Sequence, residues 1–264
     1  MKSKIIIAID AMGGENAPHK NIEGVSLFLK RNDKHQDVFF NLFGSEDLIK
    51  KEISKYKISK EKYKIFPTST IVSDEETPLT AIKNSKNSSM WKSINSQITS
   101  NSNITLSAGN TGVLFVISRM LLKTIENVSK PALAGLWPNE KNMNVVLDLG
   151  ANVECDEKNL IDFSEMGSAL YKALFPNDTP KVALLNIGSE EIKGTETLKK
   201  AYVKLKEIST YGDFEFNGFI EGNKITNGQS NVIVTDGFTG NIALKTAEGT
   251  AKFITDSLKK SLTS

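Results

Sequence analysis

Short apolar runs rich in β-branched residues alternate along this chain with longer segments of helical period, and no other feature narrows the possible folds as much. Ile5-Ile6-Ile7-Ala8-Ile9 is the first such run. A strand buried on both faces reads as continuous apolar sequence, so the pattern predicts a mainly parallel sheet with helices on both sides, a three-layer α/β/α sandwich of the Rossmann-like kind. The spacing predicts strands over 4–9, 37–43, 62–66, 103–107, 144–148, 181–186 and 231–235. Helices are expected over 17–31, 46–56, 78–98, 111–125, 158–174, 194–209 and 239–262. Segments 131–137 and 214–220 read as further strands whose direction the pattern leaves open. Within the Ser-, Asn- and Lys-rich stretch 83–103, Met90, Trp91, Ile94 and Ile98 continue the helical spacing of Ile82, which predicts a polar helix rather than a linker.

The chain has 264 residues, 39% of them hydrophobic and 24% charged, enough for a large core and too apolar for disorder. No repeat or convincing boundary interrupts it, so one α/β domain is expected over 1–264. A net charge of +2 from 33 basic and 31 acidic residues gives no footprint for nucleic acid. Arg31 and Arg119 are the only arginines, so a bound phosphate would meet lysines and backbone N–H groups. One cysteine, Cys155, excludes an internal disulfide and fits a reducing cytoplasm, and with His19 and His35 alone beside it no zinc site is expected. The first apolar run is too short to span a membrane and has no cleavage pattern after it.

Several predicted strands end in small or polar residues just where a helix begins. They are Asp10 with Gly13-Gly14, Ser107 through Gly112, Asp148 through Asn152, Asn186-Ile187-Gly188, and Asp236 through Asn241. A single such loop merely turns the chain; five on one edge of a parallel sheet point to a ligand site, where glycine permits close approach and helix N-termini offer N–H groups to anions. No phosphate loop of the Walker type, dinucleotide fingerprint or Gly-x-Ser-x-Gly elbow is present. Cys155 is disfavoured as a nucleophile by Glu154, Asp156 and Glu157. His19 reads as a solvated residue of a first helical turn, with phosphate binding or proton transfer as its alternative.

Segments 7–14, Ser88-Ser89-Met90, 107–112, Pro131-Ala132-Leu133-Ala134, 147–152, 184–188, Ile192-Lys193-Gly194 and 236–246 occur in an order in which the chain resembles the phosphate acyltransferase family called PlsX. The resemblance implies a fold of the isocitrate dehydrogenase and phosphotransacetylase kind, a homodimer, no cofactor, and transfer of a fatty acyl group from acyl carrier protein to inorganic phosphate. A downstream membrane glycerol-3-phosphate acyltransferase would consume the product. Phosphate is already an anion, so such a site needs binding, orientation and oxyanion stabilisation rather than a triad. On that reading Lys193 carries charge to the phosphate or oxyanion and Asn241 donates a hydrogen bond. Gly109, Asn110, Thr111 and Gly112 cradle phosphate, as Gly13, Gly14, Asn152, Asn186, Gly237, Thr239 and Gly240 line the same site. Asp10, Asp148 and Asp236 orient donors or, more simply, hold loops.

The chain departs from the family's pattern in three places. Glu15-Asn16 stands where an Asp-His pair is expected, and Lys83 where an arginine is expected. The family also continues past the last predicted helix into a hairpin linked to dimer and membrane contact. Phe253, Ile254, Leu258 and Leu262 among Lys252, Lys259 and Lys260 are expected to pack in the core, with peripheral membrane contact as the alternative. Rival functions are a phosphotransacetylase-like enzyme using acyl-coenzyme A, a non-catalytic carrier-protein binder and, more distantly, a hydroxyacid dehydrogenase.

Overall fold

The computed structural model describes residues 4–31, 38–73, 75–99 and 101–263. The chain divides into two compact units, Met1–Lys123 and Thr124–Ser264, each with its own sheet. His35 and residue 37, the first of the strand expected at 37–43, lie outside the described residues.

In the first unit β1 (Ile5–Asp10), β2 (Val38–Gly44), β3 (Tyr63–Pro67) and β4 (Ile104–Leu106) form a parallel sheet of order β3-β2-β1-β4. Helices α1 (His19–Arg31) and α2 (Glu46–Tyr56) bury Ile22, Val25, Ile49 and Ile53 against Ile9, Phe40 and Leu42. Another core joins Met90 and Ile94 to Val113 and Ile117 of α5 (Thr111–Leu122). The single helix expected over 78–98 is two, α3 (Pro78–Asn84) and α4 (Ser89–Ile98). Ser88 is extended at φ −75°, ψ 158°, and its hydroxyl accepts from the Trp91 N–H as an N-cap. The Ser89 N–H donates to the Thr70 carbonyl at 3.3 Å, which fixes the break.

In the second unit the sheet order is β5-β6-β9-β7-β8, from β5 (Gly135–Pro138), β6 (Met143–Leu147), β7 (Lys181–Asn186), β8 (Glu215–Glu221) and β9 (Val232–Val234). Only β5 is antiparallel, which settles the two strands of open direction: β5 runs against β6, and β8 runs with β7. Helix α6 (Glu157–Leu174) starts in a reciprocal cap in which Asp156 accepts from the Asn159 N–H and Asn159 accepts from the Asp156 N–H. It packs with α7 (Glu196–Ile208) through Phe163 and Leu205.

The last helix, α8 (Gly237–Thr263), differs from expectation. It buries Gly237 and Gly240, and every residue from Glu248 to Thr263 is exposed. Phe253, Ile254, Leu258 and Leu262 therefore lie outside any core, because no described element packs over that stretch. No described helix is long and apolar enough to cross a membrane.

Candidate functional site

The five loops singled out in the sequence all follow carboxyl ends of parallel strands, two in the first unit and three in the second. In the first unit, Asp10 closes β1 and is 1% exposed. The Ser107 hydroxyl donates to Asp10 Oδ2 at 2.7 Å and accepts from the Gly109 N–H at 3.2 Å, so the carboxylate steadies the loop after β4 through that serine. Gly13 lies so close that an added Cβ would stand 2.9 Å from the Gly109 nitrogen, and Gly14 has φ +87°. The Asn21 amide on α1 ties the same turn by donating to the Ala11 and Gly13 carbonyls, each at 3.0 Å. Burial pushes the Asp10 carboxyl above its ordinary pKa against the opposing hydrogen bonds of Ser89 and Ser107. Asp10 thus positions a loop and presents no surface to a ligand.

Helix α5 begins at that loop. Asn110 is its N-cap, accepting from the Val113 N–H at 3.1 Å and donating to the Glu76 carbonyl at 3.1 Å. The cap is neutral and the first turn holds no acidic residue, so the positive end of the helix dipole is uncompensated. Thr111 and Gly112 are exposed there.

In the second unit, Asp148 follows β6 and is fully buried. Its Oδ1 accepts from the N–H groups of Leu133 (3.0 Å), Gly150 (3.1 Å) and Ala151 (2.9 Å). Its Oδ2 accepts from the Asn152 N–H and from the Asn152 side-chain amide, both at 2.7 Å. That amide also donates to the Pro131 carbonyl at 2.7 Å. Asp148 and Asn152 therefore lock segments 131–133 and 148–152 together, and both Asp148 carboxylate oxygens are taken up by those contacts.

The first turn of α8 sits on this knot. The Gly237 N–H donates to the Asn152 carbonyl at 2.8 Å, and a Cβ on Gly240 would strike the Asp148 carbonyl. Gly150, at φ +132°, meets Asn241, whose Nδ2 donates to the Leu149 carbonyl at 3.3 Å. Asn241 is exposed. Asp236 accepts from the Thr239 N–H and hydroxyl, both at 2.8 Å. A carboxylate thus already occupies this N-terminus, in contrast to α5.

On β7, Asn186 accepts from the Ile187 N–H at 2.8 Å and donates to the Lys193 carbonyl at 3.2 Å, closing the 187–193 turn. Gly194, at φ +89°, lets the chain pass over the Asn186 amide. Lys193 is exposed and makes no ion pair among the described residues, unlike Lys181 and Lys224. Strands β6, β9 and β7 are adjacent, so the loops bearing Asp148, Asp236 and Asn186 share one edge.

Two residues weighed in the sequence have other work. His19 opens α1 and pairs through Nδ1 with Glu52 at 2.9 Å, while hydrogen bonds from Lys55 and His19 hold the Glu52 carboxyl below its ordinary value. Burial pushes the Cys155 thiol up, away from the thiolate a nucleophile needs. The sequence reading missed Asn21, whose signal was an asparagine in an early helical turn, a residue that lowers helix propensity unless its amide has a task.

The family model described as "Fatty acid synthesis protein" matches residues 5–264. The phosphate acyltransferase of Pelagibacter ubique is 56% identical over 262 residues, 99% of this chain and 77% of that protein. The phosphate acyltransferase of Rhizobium etli is 40% identical over 98% of this chain and 73% of its own length. Among solved structures, the EutD phosphotransacetylase of Staphylococcus aureus aligns with a TM-score of 0.64 at 16% identity, covering 95% of this chain and 84% of that one. A phosphotransacetylase of Streptococcus pyogenes gives 0.65 at 13% identity over 94% and 82%. These two establish the α/β/α sandwich and nothing finer. Matched by the family model over nearly its whole length, the chain belongs to the fatty acid synthesis protein family, alongside relatives named phosphate acyltransferase.

Proposed function

We propose that residues 1–264 work as one phosphate acyltransferase domain that moves a fatty acyl group from acyl carrier protein to inorganic phosphate. A phosphate oxygen attacks the thioester carbonyl, the C–S bond breaks, and the phosphate's proton leaves with the carrier thiol; the products are acyl phosphate and free carrier protein. The observation that carries the reading is the neutral-capped N-terminus of α5, where Thr111 and Gly112 are exposed at the carboxyl end of the β1/β4 edge. Such an end attracts a dianion without a cofactor. In the second unit, Lys193 supplies positive charge and the Asn241 amide a hydrogen-bond donor suited to a developing oxyanion. Asp10, Asp148 and Asp236 hold the loops, with Gly13, Gly14, Gly109, Gly237 and Gly240 allowing their close approach.

The same reading includes a cytoplasmic homodimer whose product passes to a membrane glycerol-3-phosphate acyltransferase. The test is phosphate-dependent loss of thioester from acyl carrier protein, with acyl phosphate trapped by hydroxylamine. Lys193→Ala and Asn241→Ala are expected to lower kcat by about 100-fold, the scale of one lost oxyanion donor, with melting temperature unchanged. A folded wild-type protein that forms no hydroxamate from any acyl donor refutes the reading. Formation from acyl-coenzyme A alone favours the phosphotransacetylase-like alternative, for which the solved relatives supply only the fold.

A further inference from the structure

A groove of ≈ 410 Å³ lies in the first unit between α1 and the β1/β4 edge of the sheet. Ile7, Ile9 and Leu106 form its floor, and Gly24, Val25 and Phe28 its opposite wall. Gly24 and Phe28 are four residues apart on α1 and so share a helical face. Ser107 and Ala108, where β4 runs into the loop that starts α5, also line it.

The polar groups at this groove are committed elsewhere. The Asn21 amide donates to the Ala11 and Gly13 carbonyls, and the Ser107 hydroxyl bonds Asp10 and the Gly109 N–H. Lys20 is exposed, and a lysine there brings an apolar four-carbon stem to the rim. The lining therefore offers hydrocarbon and little hydrogen bonding, which suits an alkyl chain and not a sugar, nucleotide or peptide. A methylene fills about the volume of one liquid water, about 30 Å³. The groove then holds on the order of a dozen carbons. Its Ser107–Ala108 lining adjoins the loop that leads to the exposed Thr111 and Gly112, so a chain lying in it with its head at that side would bring its carboxyl-derived carbon towards the α5 N-terminus.

The geometry points to this groove as the fatty acyl subsite, with Gly24 setting the chain length it admits. A Cβ at Gly24 would meet nothing within 4 Å, so larger side chains enter empty space without moving the backbone. Alanine or leucine there also raises helix propensity, which favours folding of the variants. The inference rests on the acyl-transfer reading, and its test separates the two.

Acyl carrier proteins loaded with chains of six to sixteen carbons are assayed by hydroxylamine trapping against the wild type, Gly24→Ala and Gly24→Leu, with melting curves for each. Every methylene excluded from an apolar site costs about fourfold in kcat/KM. Gly24→Leu, which displaces about three methylenes, is expected to lower kcat/KM on the longest chain by on the order of fiftyfold and to leave the shortest within about twofold. Gly24→Ala should fall between, about fourfold on the longest chain, and serves if the leucine variant does not fold. Equal losses at all lengths, or no loss at any, from folded variants overturn the subsite while the wild-type activity leaves acyl transfer standing. A wild type inactive on every chain length overturns the acyl-transfer reading, and the subsite with it.

Discussion

Replacing Asp148 by asparagine keeps its shape and removes its charge, which isolates the contribution of the knot it ties. Five donors converge on two carboxylate oxygens: three backbone N–H groups on Oδ1 and the two groups of Asn152 on Oδ2. An amide can present its oxygen to only one of these sets. The least damaging orientation keeps the three backbone donors and turns the NH₂ towards Asn152, so two hydrogen bonds to a charged acceptor are lost. At about 1.5–3 kcal/mol each, the loss is about 3–6 kcal/mol, with donor facing donor in a buried space adding to it. Whole-protein stability is about 5–15 kcal/mol, so the variant sits near the limit of folding. Equilibrium urea unfolding followed by circular dichroism measures the difference at fixed pH, with the lower midpoint expected at an unchanged slope. A loss below about 1 kcal/mol would show that the loop holds itself, and the structural role assigned to Asp148 would be wrong.

Other perturbations test separate parts of the structure. Because burial raises the Asp10 pKa above 3.8, the folded state keeps a proton that the unfolded chain has released, and stability falls as pH rises through that window; Asp10→Asn should abolish that slope in urea titrations from acid to neutral pH. Ser88→Ala removes the cap that starts α4 and is expected to cost about 1 kcal/mol, with an unchanged value counting against the cap. Gly240→Ala places a methyl against the Asp148 carbonyl and should cost about 3 kcal/mol, with acyl transfer lost, whereas near-native stability would mean that α8 can shift. Tyr202, which donates to Glu191 at 2.6 Å, has its phenol pushed up to about 12, so ultraviolet titration should show a tyrosine near that value that Glu191→Gln shifts down towards 10.

The α/β class was legible because buried parallel strands leave continuous apolar runs such as Val182-Ala183-Leu184-Leu185, which no amphipathic helix requires. The break at Ser85–Ser88 was not, since Met90 and Ile94 continue the helical spacing of Ile82 across it, and the bridge that holds Ser88 extended comes from Thr70, distant in sequence. The division into two sheets was equally hidden, because strand pairing depends on spatial order that periodicity does not encode. Glycines at 13, 150, 194 and 240 marked true close approaches, yet their partners emerged only with the fold. The carboxylates show the limit most clearly. Asp10 ends a strand and Asp148 and Asp236 come just after one, but the first steadies a loop through Ser107, the second accepts five hydrogen bonds and the third caps a helix.

In the second sheet β9 lies between β6 and β7, although it is the last strand in sequence among the described residues. A chain leaving the ribosome therefore carries the β5–β6 hairpin and the parallel β7–β8 pair as halves with an unfilled slot between them. Neither half can close on the other, because each exposes a strand edge meant for Val232–Val234. The Asn241–Leu149 hydrogen bond, across 92 residues of chain, must wait for the same event. Insertion of one three-residue strand thus completes the sheet and seats α8 together, a pairing of high sequence separation that slows folding relative to local contacts.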